Sequence, residues 1–467
     1  MNLRGSQPFR EALVSAAAAA TLATLATLAT GCSGGAPRAP KDAASISKAA
    51  EADLAAGRPE KAQRGFEEAL ALEPRLLPAV RGRIEAARRR GALALVVAAA
   101  ASQAAARPDD ALAWETLGLA RFAAGEEKAA VAALSKAAAL APDEADFHFR
   151  LGIALFDGEK FAAAREPLQR AVGLAPKVAR YRAPLAACLD RLGDRKAAMA
   201  ALRELPSLGP TADEAALAVK TARALTAPFR DVPQPARPDL ELALGYLLRD
   251  APGLALPYLE GLVQKFPDLA AAHALLGLAA QRLDEAGRAV TELQKAAALA
   301  PDQPQPHLYL AELYAGRGRP ELADAEYAAV LERDPLDVST LRKMGELRLE
   351  GAATDGRRAE AALNFLTRAA ALAPLDASLQ LVLARAELAA SRPGPAQARL
   401  ERLAELRPDD PEILLRLALL LFDQRARAAP PAKGPLTQRL ESLLEKVLSL
   451  QPQNATASRL LTALRAG

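Results

Sequence analysis

The chain has 467 residues, of which 60 are Lys or Arg and 56 are Asp or Glu, and only 4% are aromatic. This near balance of charge lacks the basic footprint of a nucleic-acid-binding protein, so we expect no nucleic-acid partner. The two cysteines, Cys32 and Cys188, are too few for a disulfide framework.

The N-terminal segment has the charge order of a secretory signal. Arg4 and Arg10 precede an uncharged run from Ala12 to Gly31. This run is long enough to span a bilayer. It contains few strongly apolar residues, however, and consists mostly of Ala and Thr. A cleaved signal and an uncleaved signal anchor therefore both remain open from these residues alone.

The segment Ala29-Thr30-Gly31-Cys32 resembles the lipobox of bacterial lipoproteins, in which the cysteine is acylated and becomes the mature N-terminus. The resemblance implies a lipoprotein signal peptide over residues 1–31, lipidation of Cys32 and a place in the cell envelope. Ser33 after the cysteine implies the outer membrane, on its periplasmic side. Acyl chains supply about 0.8 kcal/mol per buried methylene, which would anchor the chain without a spanning helix. Residues 32–42 are rich in Gly, Pro and Ala and indicate a flexible tether, and the alternative is an uncleaved anchor with an incidental cysteine.

Proline recurs along the chain with a period of 34 residues. It occurs at Pro74, Pro108, Pro142, Pro176 and Pro210, and again at Pro233, Pro267, Pro301 and Pro335. Glycines follow the same period at Gly57, Gly91, Gly125 and Gly193. A constant period of this length predicts a stack of identical supersecondary units, which overrules the roughly three domains expected from length alone.

Residues 111–144 show the repeating unit most clearly. Two amphipathic runs, Leu112–Ala124 and Glu126–Ala139, flank a glycine turn and end before Pro142. Apolar side chains at helical spacing give each run one buried stripe. Helices this short are marginal alone in water, so each must bury its stripe against a neighbour. The pattern therefore predicts helical hairpins that stack on one another.

The unit resembles the tetratricopeptide repeat at its characteristic positions, which are Trp114, Leu117, Gly118, Ala130, Leu134, Ala137 and Pro142. The same pattern continues at Leu151, Gly152, Ala164, Leu168 and Ala171, and at Leu276, Gly277, Ala289, Leu293 and Ala296. The resemblance implies an all-α fold, an α-solenoid in which about eleven helix-turn-helix units form a right-handed superhelix.

Interruptions of the period divide the predicted array. We expect an N-terminal repeat block over residues 43–212 and a C-terminal repeat block over residues 236–454. Between them, residues 213–235 are predicted to form one extra helix and a proline-rich connector. Residues 455–467 are typical of the capping helix that repeat arrays need for solubility.

The resemblance also implies a concave groove, lined by repeat positions 2, 5, 9, 12 and 13 of each first helix. In two neighbouring units these positions carry an apolar patch with acidic residues at its rim. Such a patch is typical of a surface that binds an extended or helical peptide. The alternative is that another part of the chain covers it. The predicted groove residues are Leu112, Glu115, Leu119, Phe122 and Ala123 in one unit and Asp146, Phe149, Ile153, Phe156 and Asp157 in the next.

Each candidate for chemistry also has a structural interpretation. Adjacent acids could be catalytic pairs, but they follow the periodic prolines, where Asp caps the next helix. The histidines share the fourth repeat position with Trp114 rather than metal-ligand spacing, so we expect packed side chains. Cys188 stands at a repeat position that carries alanine in other units, which favours a buried thiol over a nucleophile. The basic run Arg81 to Arg90 is either a contact for an acidic partner or a solvated helix face. The residues concerned are Asp109-Asp110, Asp143-Glu144 and Asp409-Asp410, together with His148, His273 and His307.

These features predict a non-catalytic scaffold for protein-protein interactions, without a cofactor or a metal. Its expected partners are proteins that place a peptide or helix in the groove, and the lipid anchor would hold it at a membrane. Lipoproteins that it resembles assist the assembly of envelope machines such as secretins, pili and polysaccharide-export systems. Two alternatives remain, because a repeat array does not reveal what it binds. One is a structural spacer or peptidoglycan-associated component without a peptide client, and the other is an accessory subunit of an enzyme complex.

Overall fold

The computed structural model describes residues 42–466, except 75, 228–231, 351–355 and 428. In these ranges the chain forms 24 α-helices and three short 3-10 helices, and no strand occurs among them. The predicted all-α solenoid of helical hairpins is therefore confirmed. The predicted signal peptide, Cys32 and the tether up to residue 41 lie outside the described residues.

The helices cluster into two compact units, the first ending at Thr221 and the second beginning at Ala222. The first unit contains five hairpins, each formed by two helices that pack together. A 3-10 turn, Ala179–Tyr181, opens the fifth hairpin. The paired helices are α1 (Ala43–Ala55) with α2 (Pro59–Leu72), α3 (Leu77–Arg89) with α4 (Leu93–Ala106), α5 (Ala111–Ala123) with α6 (Glu127–Leu140), α7 (Ala145–Asp157) with α8 (Phe161–Leu174), and α9 (Arg182–Arg191) with α10 (Arg195–Arg203).

The boundary between the units falls inside an additional helix, α11 (Ala212–Leu225). Six hairpins follow in the second unit, and one helix, α24 (Ala455–Ala466), comes after the last of them. Along the described part of the chain, no helix is both long and apolar enough to cross a membrane. The six hairpins pair α12 (Arg237–Leu248) with α13 (Pro252–Lys265), α14 (Ala270–Arg282) with α15 (Ala286–Leu299), α16 (Gln305–Gly316) with α17 (Pro320–Arg333), α18 (Val338–Leu349) with α19 (Gly356–Leu372), α20 (Ala377–Ala389) with α21 (Pro393–Leu406), and α22 (Pro411–Arg427) with α23 (Pro430–Leu450).

Several hairpins are closed by a contact between a glycine of the first helix and a leucine of the second. A Cβ atom on Gly118 would lie 2.6 Å from Cγ of Leu134, closer than a side chain tolerates. Leu134 is 1% exposed, because the absent glycine side chain lets it reach the backbone of the facing helix. The same contact recurs between Gly152 and Leu168 and between Gly277 and Leu293. The repeat pattern therefore encodes the packing distance inside the hairpin.

The turns inside the hairpins need a left-handed backbone. Gly125 has φ of 80° and Gly193 has φ of 85°, values that glycine adopts at little cost. The turn that lies between them in the periodic series carries Glu159 instead, with φ of 56°. A residue with a Cβ atom is strained in this conformation. This hairpin therefore carries a side chain at a position that favours glycine, at a cost in stability.

Aspartate caps the first helix of several hairpins. Oδ1 of Asp110 accepts a hydrogen bond from the N–H of Leu112 at 3.1 Å, and Oδ1 of Asp410 accepts one from the N–H of Glu412 at 3.1 Å. The capping interpretation of these two acid pairs is confirmed. It is wrong for the third pair, where Glu144 occupies the N-cap but makes no capping hydrogen bond with its side chain. Glutamate is not among the preferred N-cap residues.

The fourth residue of many hairpins donates a hydrogen bond to the carbonyl oxygen of the periodic proline before it. Nε1 of Trp114 donates to Pro108 at 2.9 Å. The preceding helix leaves such carbonyl oxygens without a helical partner, so the side chain supplies the missing donor. The equivalent pairs are His148 with Pro142, Arg182 with Pro176, His273 with Pro267 and Gln380 with Pro374. What these side chains share is an N–H group rather than an aromatic ring.

Candidate functional site

Charged side chains from three consecutive hairpins of the first unit form a buried network. Nη1 of Arg150 pairs with Oε1 of Glu115, and both side chains are fully buried at 0% exposure. Nη2 of Arg150 lies 3.6 Å from Oδ2 of Asp146. Oδ1 of Asp146 in turn accepts hydrogen bonds from Nη2 of Arg180 at 2.5 Å and from Oη of Tyr181 at 2.6 Å. The network thus links α5, α7 and the turn that opens the fifth hairpin.

Burial shapes the protonation of this network. Burial, together with the charges of Arg81 and Arg180, lowers the pKa of Arg150 well below its usual range. Burial and the hydrogen bond to Asp146 raise the pKa of the Tyr181 hydroxyl. Removing one partner would leave the other charge buried and uncompensated, which destabilises proteins by about 3–5 kcal/mol. Loss of one member of the network should therefore destabilise the packing of these three hairpins.

Two of the predicted groove residues, Glu115 and Asp146, belong to this network. Glu115 was expected at an exposed acidic rim, and that expectation is wrong because Glu115 is buried against Arg150. The ring of Phe149 lies 4.8 Å from that of Tyr181, and the ring of Phe156 lies 5.2 Å from that of Phe161. None of the eight principal groove residues is exposed. Leu119, Phe122 and Ile153 are buried, and Leu112, Asp146, Phe149 and Phe156 are half-buried. A role of these residues in partner binding stays a prediction.

The histidines take part in packing and hydrogen bonding. His273 is 2% exposed, and its Nδ1 lies 2.6 Å from Oε2 of Glu292. Nδ1 of His307 lies 2.7 Å from Oε2 of Glu326. Over the described ranges, no group of three or more His, Cys, Asp or Glu residues could hold a metal ion. The interpretation as a packed side chain is therefore confirmed for His273.

Cys188 is a buried thiol, as its repeat position predicted. It is 0% exposed, and its Sγ donates a hydrogen bond to the carbonyl oxygen of Phe161 at 3.3 Å. Burial raises the pKa of the thiol, which disfavours the reactive thiolate. The structure therefore gives Cys188 a packing role.

The basic run of the second hairpin divides into two parts. Arg88 and Arg89 are exposed and contact Glu85 of the same helix at 2.7 and 2.8 Å. They form the solvated helix face that was one of the two interpretations, and exposed pairs of this kind add little stability. Arg81 and Arg83 are half-buried, and burial lowers the pKa of both.

An open groove lies among the last two hairpins of the second unit. It has a volume of about 590 Å³ and is lined by residues of α20, α21 and α22. Its wall includes two exposed leucines, Leu388 at 38% and Leu419 at 41%. Three arginines and one aspartate share the lining, namely Arg385, Arg416, Arg427 and Asp423. Apolar surface with an excess of positive charge therefore faces solvent here.

One cation of this groove has no partner among the described residues. Arg416 pairs with Glu412 at 2.9 Å, and Arg427 lies 3.5 Å from Asp423. Arg385 is exposed and makes neither an ion pair nor a hydrogen bond with any described residue. The guanidinium is thus available to an external acceptor.

The sequence interpretation applied the groove positions to only two units and missed this site. Arg385 and Leu419 occupy the ninth position of the units that begin at Ala377 and Pro411. Leu388 occupies the twelfth position of the first of these units. Applying the same repeat positions to every unit of the chain would have identified these groove residues from the sequence.

Three segments of the chain match a known repeat family. The tetratricopeptide repeat family profile matches residues 115–179, 149–213 and 381–429. The matched segments include the Glu115–Arg150 ion pair of the first unit and all the residues that line the groove of the second. The chain therefore contains tetratricopeptide repeats in both units.

Solved structures with similar helical arrangements were also found. The structure of the APC/C hetero-tetramer Cut9–Hcn1 contains a chain that is 13% identical in sequence to this one. The match covers 89% of this chain and 95% of that chain, with a TM-score of 0.36. PilF of Pseudomonas aeruginosa is 24% identical over 42% of this chain and 83% of its own, with a TM-score of 0.33. Yeast Tom70 is 14% identical over 91% and 95% of the two chains, with a TM-score of 0.28. No curated protein matches the chain.

Proposed function

We propose that this chain is a non-catalytic scaffold that binds protein partners in the groove formed by α20, α21 and α22. The observation that carries the proposal is the pair of exposed leucines, Leu388 and Leu419, beside the available cation of Arg385. Apolar side chains that line a groove gain free energy when a partner covers them. The tetratricopeptide repeats support the same conclusion, because repeats of this kind serve as protein-interaction scaffolds.

The chemistry of the groove selects the kind of partner. Fully burying an exposed leucine side chain contributes about 1.5–3 kcal/mol. Leu388 and Leu419 expose 38% and 41%, so covering both would contribute about 1–2.5 kcal/mol in total. The excess of arginine over aspartate in the lining favours acidic residues beside those contacts. The partner we propose is an amphipathic helix or extended peptide with apolar anchors and acidic flanks.

We retain the first unit as a second candidate surface. Phe149 and Phe156, half-buried in α7, are the aromatic residues that the sequence assigned to a peptide groove. A partner there would have to pack beside the buried ion pair of Glu115 and Arg150. It would therefore meet less exposed apolar surface than a partner of the second unit.

We propose in addition that Cys32 carries a lipid that holds the scaffold at a membrane of the cell envelope. The support is the resemblance of residues 29–32 to a lipobox. In that setting the scaffold would aid the assembly of a multi-protein envelope machine. Labelling of cells with an alkyne fatty acid tests this, because wild type should incorporate the label and Cys32→Ala should not. Absence of label from wild type would favour an uncleaved signal anchor, and equal label in both proteins would show that Cys32 is not the acylated residue.

A charge-swap experiment tests the groove. Two fluorescent peptides carry the same apolar anchors and differ only in Glu or Lys flanks. We expect wild type to bind the Glu-flanked peptide at least about tenfold more tightly. Arg385→Glu should weaken that preference, and Leu419→Glu should weaken both peptides, because it places a charge among the apolar anchors.

Leu375→Glu is the matched control for this experiment. Leu375 is 85% exposed in the same unit but does not line the groove. Its substitution should leave both affinities unchanged. Equal binding of the two peptides by wild type, or unaltered binding by Leu419→Glu at unchanged helical circular dichroism, would contradict the proposal. A spacer without a client would bind neither peptide.

A further inference from the structure

A second cavity lies in the second unit, away from the groove. It has a volume of about 220 Å³ and lies where the end of α11, the start of α16 and the end of α17 meet. Its wall combines carboxylates, an amide and a hydroxyl with apolar side chains. The lining also contains one cation, and its residues include Arg223, Thr226, Gln305, Leu308, Val330, Asp334 and Asp337.

Asp334 is an acid in an unfavourable place for its charge. It is 4% exposed and forms the C-cap of α17, the negative end of the helix dipole. Oδ1 of Asp334 accepts a hydrogen bond from the N–H of Leu336 at 3.1 Å. Burial and the neighbouring charge of Asp337 raise the pKa of Asp334 to about 6. The carboxylate is therefore incompletely compensated by the protein around it.

Thr226 compensates the charge of Asp334 only in part, because its hydrogen bond lowers the pKa of Asp334 but burial outweighs this effect. Its hydroxyl has a single proton, and Oγ1 donates a hydrogen bond to the carbonyl oxygen of Ala222 at 3.1 Å. That one proton is shared between two acceptors, the carbonyl oxygen of Ala222 and Asp334. Asp337 cannot help, since it is an acid whose Oδ1 already accepts from the N–H of Thr340 at 2.6 Å.

Gln305 adds a third acceptor to the wall. Its Nε2 donates to the carbonyl oxygen of Thr226 at 3.0 Å, which fixes the orientation of the amide. Its Oε1 is buried and has no hydrogen-bond donor within reach among the described residues. A buried acceptor without a donor costs about 1–3 kcal/mol unless something satisfies it. The cavity thus contains two carboxylates and one amide oxygen with too few donors around them.

We propose that this cavity binds a primary alkylammonium group, whose three N–H donors meet Asp334, Asp337 and the amide oxygen of Gln305. An ammonium carries three donors and one positive charge, which matches the number and the sign of these acceptors. Leu308 and Val330 provide apolar wall for the methylene stem behind the charge. Arg223 is the cation of the lining, but it is exposed and its charge is screened by water.

Calorimetric titration of the full chain with n-butylammonium chloride at constant ionic strength tests this site. Wild type should bind it saturably, and n-butanol, which has the same stem without the charge, should not bind. Asp334→Asn should weaken binding by at least about tenfold, because it removes the charge and keeps the size. Asp302→Asn, an exposed acid that does not line the cavity, is the matched control and should bind as wild type does.

A second variant keeps the test decisive if Asp334→Asn folds poorly. Leu308→Phe fills the cavity without altering an acceptor and should also abolish binding. Equal affinity of wild type and both variants, or equal binding of n-butanol, would overturn the proposal. A calcium chloride titration that gives the Asp334-dependent heat in place of the amine would overturn it as well. Arg385→Glu should bind n-butylammonium normally, which separates this site from the groove.

Two sources could present the ammonium, and a further titration distinguishes them. Nα-acetyl-lysine methylamide carries the same head on a peptide backbone. Binding tighter than n-butylammonium would identify a lysine side chain of a partner protein as the ligand. Binding equal to or weaker than n-butylammonium would identify a free alkyl amine.

Discussion

Nε2 of His273 donates a hydrogen bond to the carbonyl oxygen of Pro267 at 2.9 Å, while the other ring nitrogen lies 2.6 Å from a carboxylate oxygen of Glu292. One buried side chain thus joins the end of the previous hairpin to both helices of its own. Trp, His, Arg and Gln make the same donor contact in four other hairpins, so these side chains differ in shape but share an N–H donor.

Replacing His273 should therefore destabilise the second unit. His273→Phe keeps an aromatic ring and leaves the Pro267 carbonyl and the Glu292 carboxylate without this partner. We expect a loss of about 1–3 kcal/mol in the free energy of unfolding, measured by urea denaturation. His148→Phe is the control and should cost less, because Arg170 also donates to the Pro142 carbonyl at 3.2 Å. Equal losses would contradict the donor explanation.

The glycine inside the hairpin gives a packing prediction. Gly118→Ala forces a Cβ atom against Leu134, so the free energy of unfolding should fall by about 1–3 kcal/mol. Gly245 lies within α12, and a Cβ atom added there would meet no other atom within 4 Å. Gly245→Ala should instead raise stability by up to about 1 kcal/mol through helix propensity. Denaturation of both variants measures the difference, and a stabilising Gly118→Ala would refute the contact.

The strained turn gives a prediction of opposite sign. Glu159 has φ of 56°, so Glu159→Gly should relieve strain of about 1 kcal/mol and raise the unfolding midpoint. Gly125→Ala places a side chain at φ of 80° in the equivalent turn and should lower the midpoint by a similar amount. If both substitutions shift stability in the same direction, backbone strain is not the cause.

Asp334 makes the stability of the second unit depend on pH. Its pKa is raised to about 6 from an ordinary value of 3.8, so the folded chain binds more protons than the unfolded chain between these values. The contribution of Asp334 to the free energy of unfolding should therefore rise as the pH falls from about 7 to about 4, by at most about 3 kcal/mol. The charges that face this group are those of Asp337 and Arg223.

Comparison with Asp334→Asn isolates this contribution. Burial also raises the pKa of Glu51 and Glu312, which respond in the same direction. The difference between wild type and Asp334→Asn should shrink or reverse toward low pH, because Asn mimics the neutral acid. Parallel pH curves for the two proteins would show that Asp334 ionises normally in the fold.

The fold could be predicted from the sequence because residues that recur with the repeat period are also the residues that pack the two helices of a hairpin together. Gly118 and Leu134 belong to the repeat pattern and also define the distance between two helices, so recognising the pattern gave the hairpin. The side chains that join hairpins could not be predicted in this way. Arg150 occupies a position outside the expected groove, and its pairing with Glu115 depends on how one hairpin stacks on the next.

The cavity that contains Asp334 and Asp337 could not be predicted from the sequence either. Asp334 and Asp337 flank the periodic Pro335 and look like ordinary capping residues, as Asp337 indeed is. What distinguishes Asp334 is burial beside Thr226, which belongs to the segment after α11, more than a hundred residues earlier in the chain. Such long-range proximity leaves no local pattern.

The principal helix contacts join elements that are neighbours along the chain. Little loop entropy has to be overcome before such contacts form, so a hairpin can fold soon after the residues that encode it become available. Damage to one hairpin should likewise open a local stretch of the array before the remainder unfolds. We therefore expect this chain to fold in short steps, in which each new hairpin packs against the one already formed.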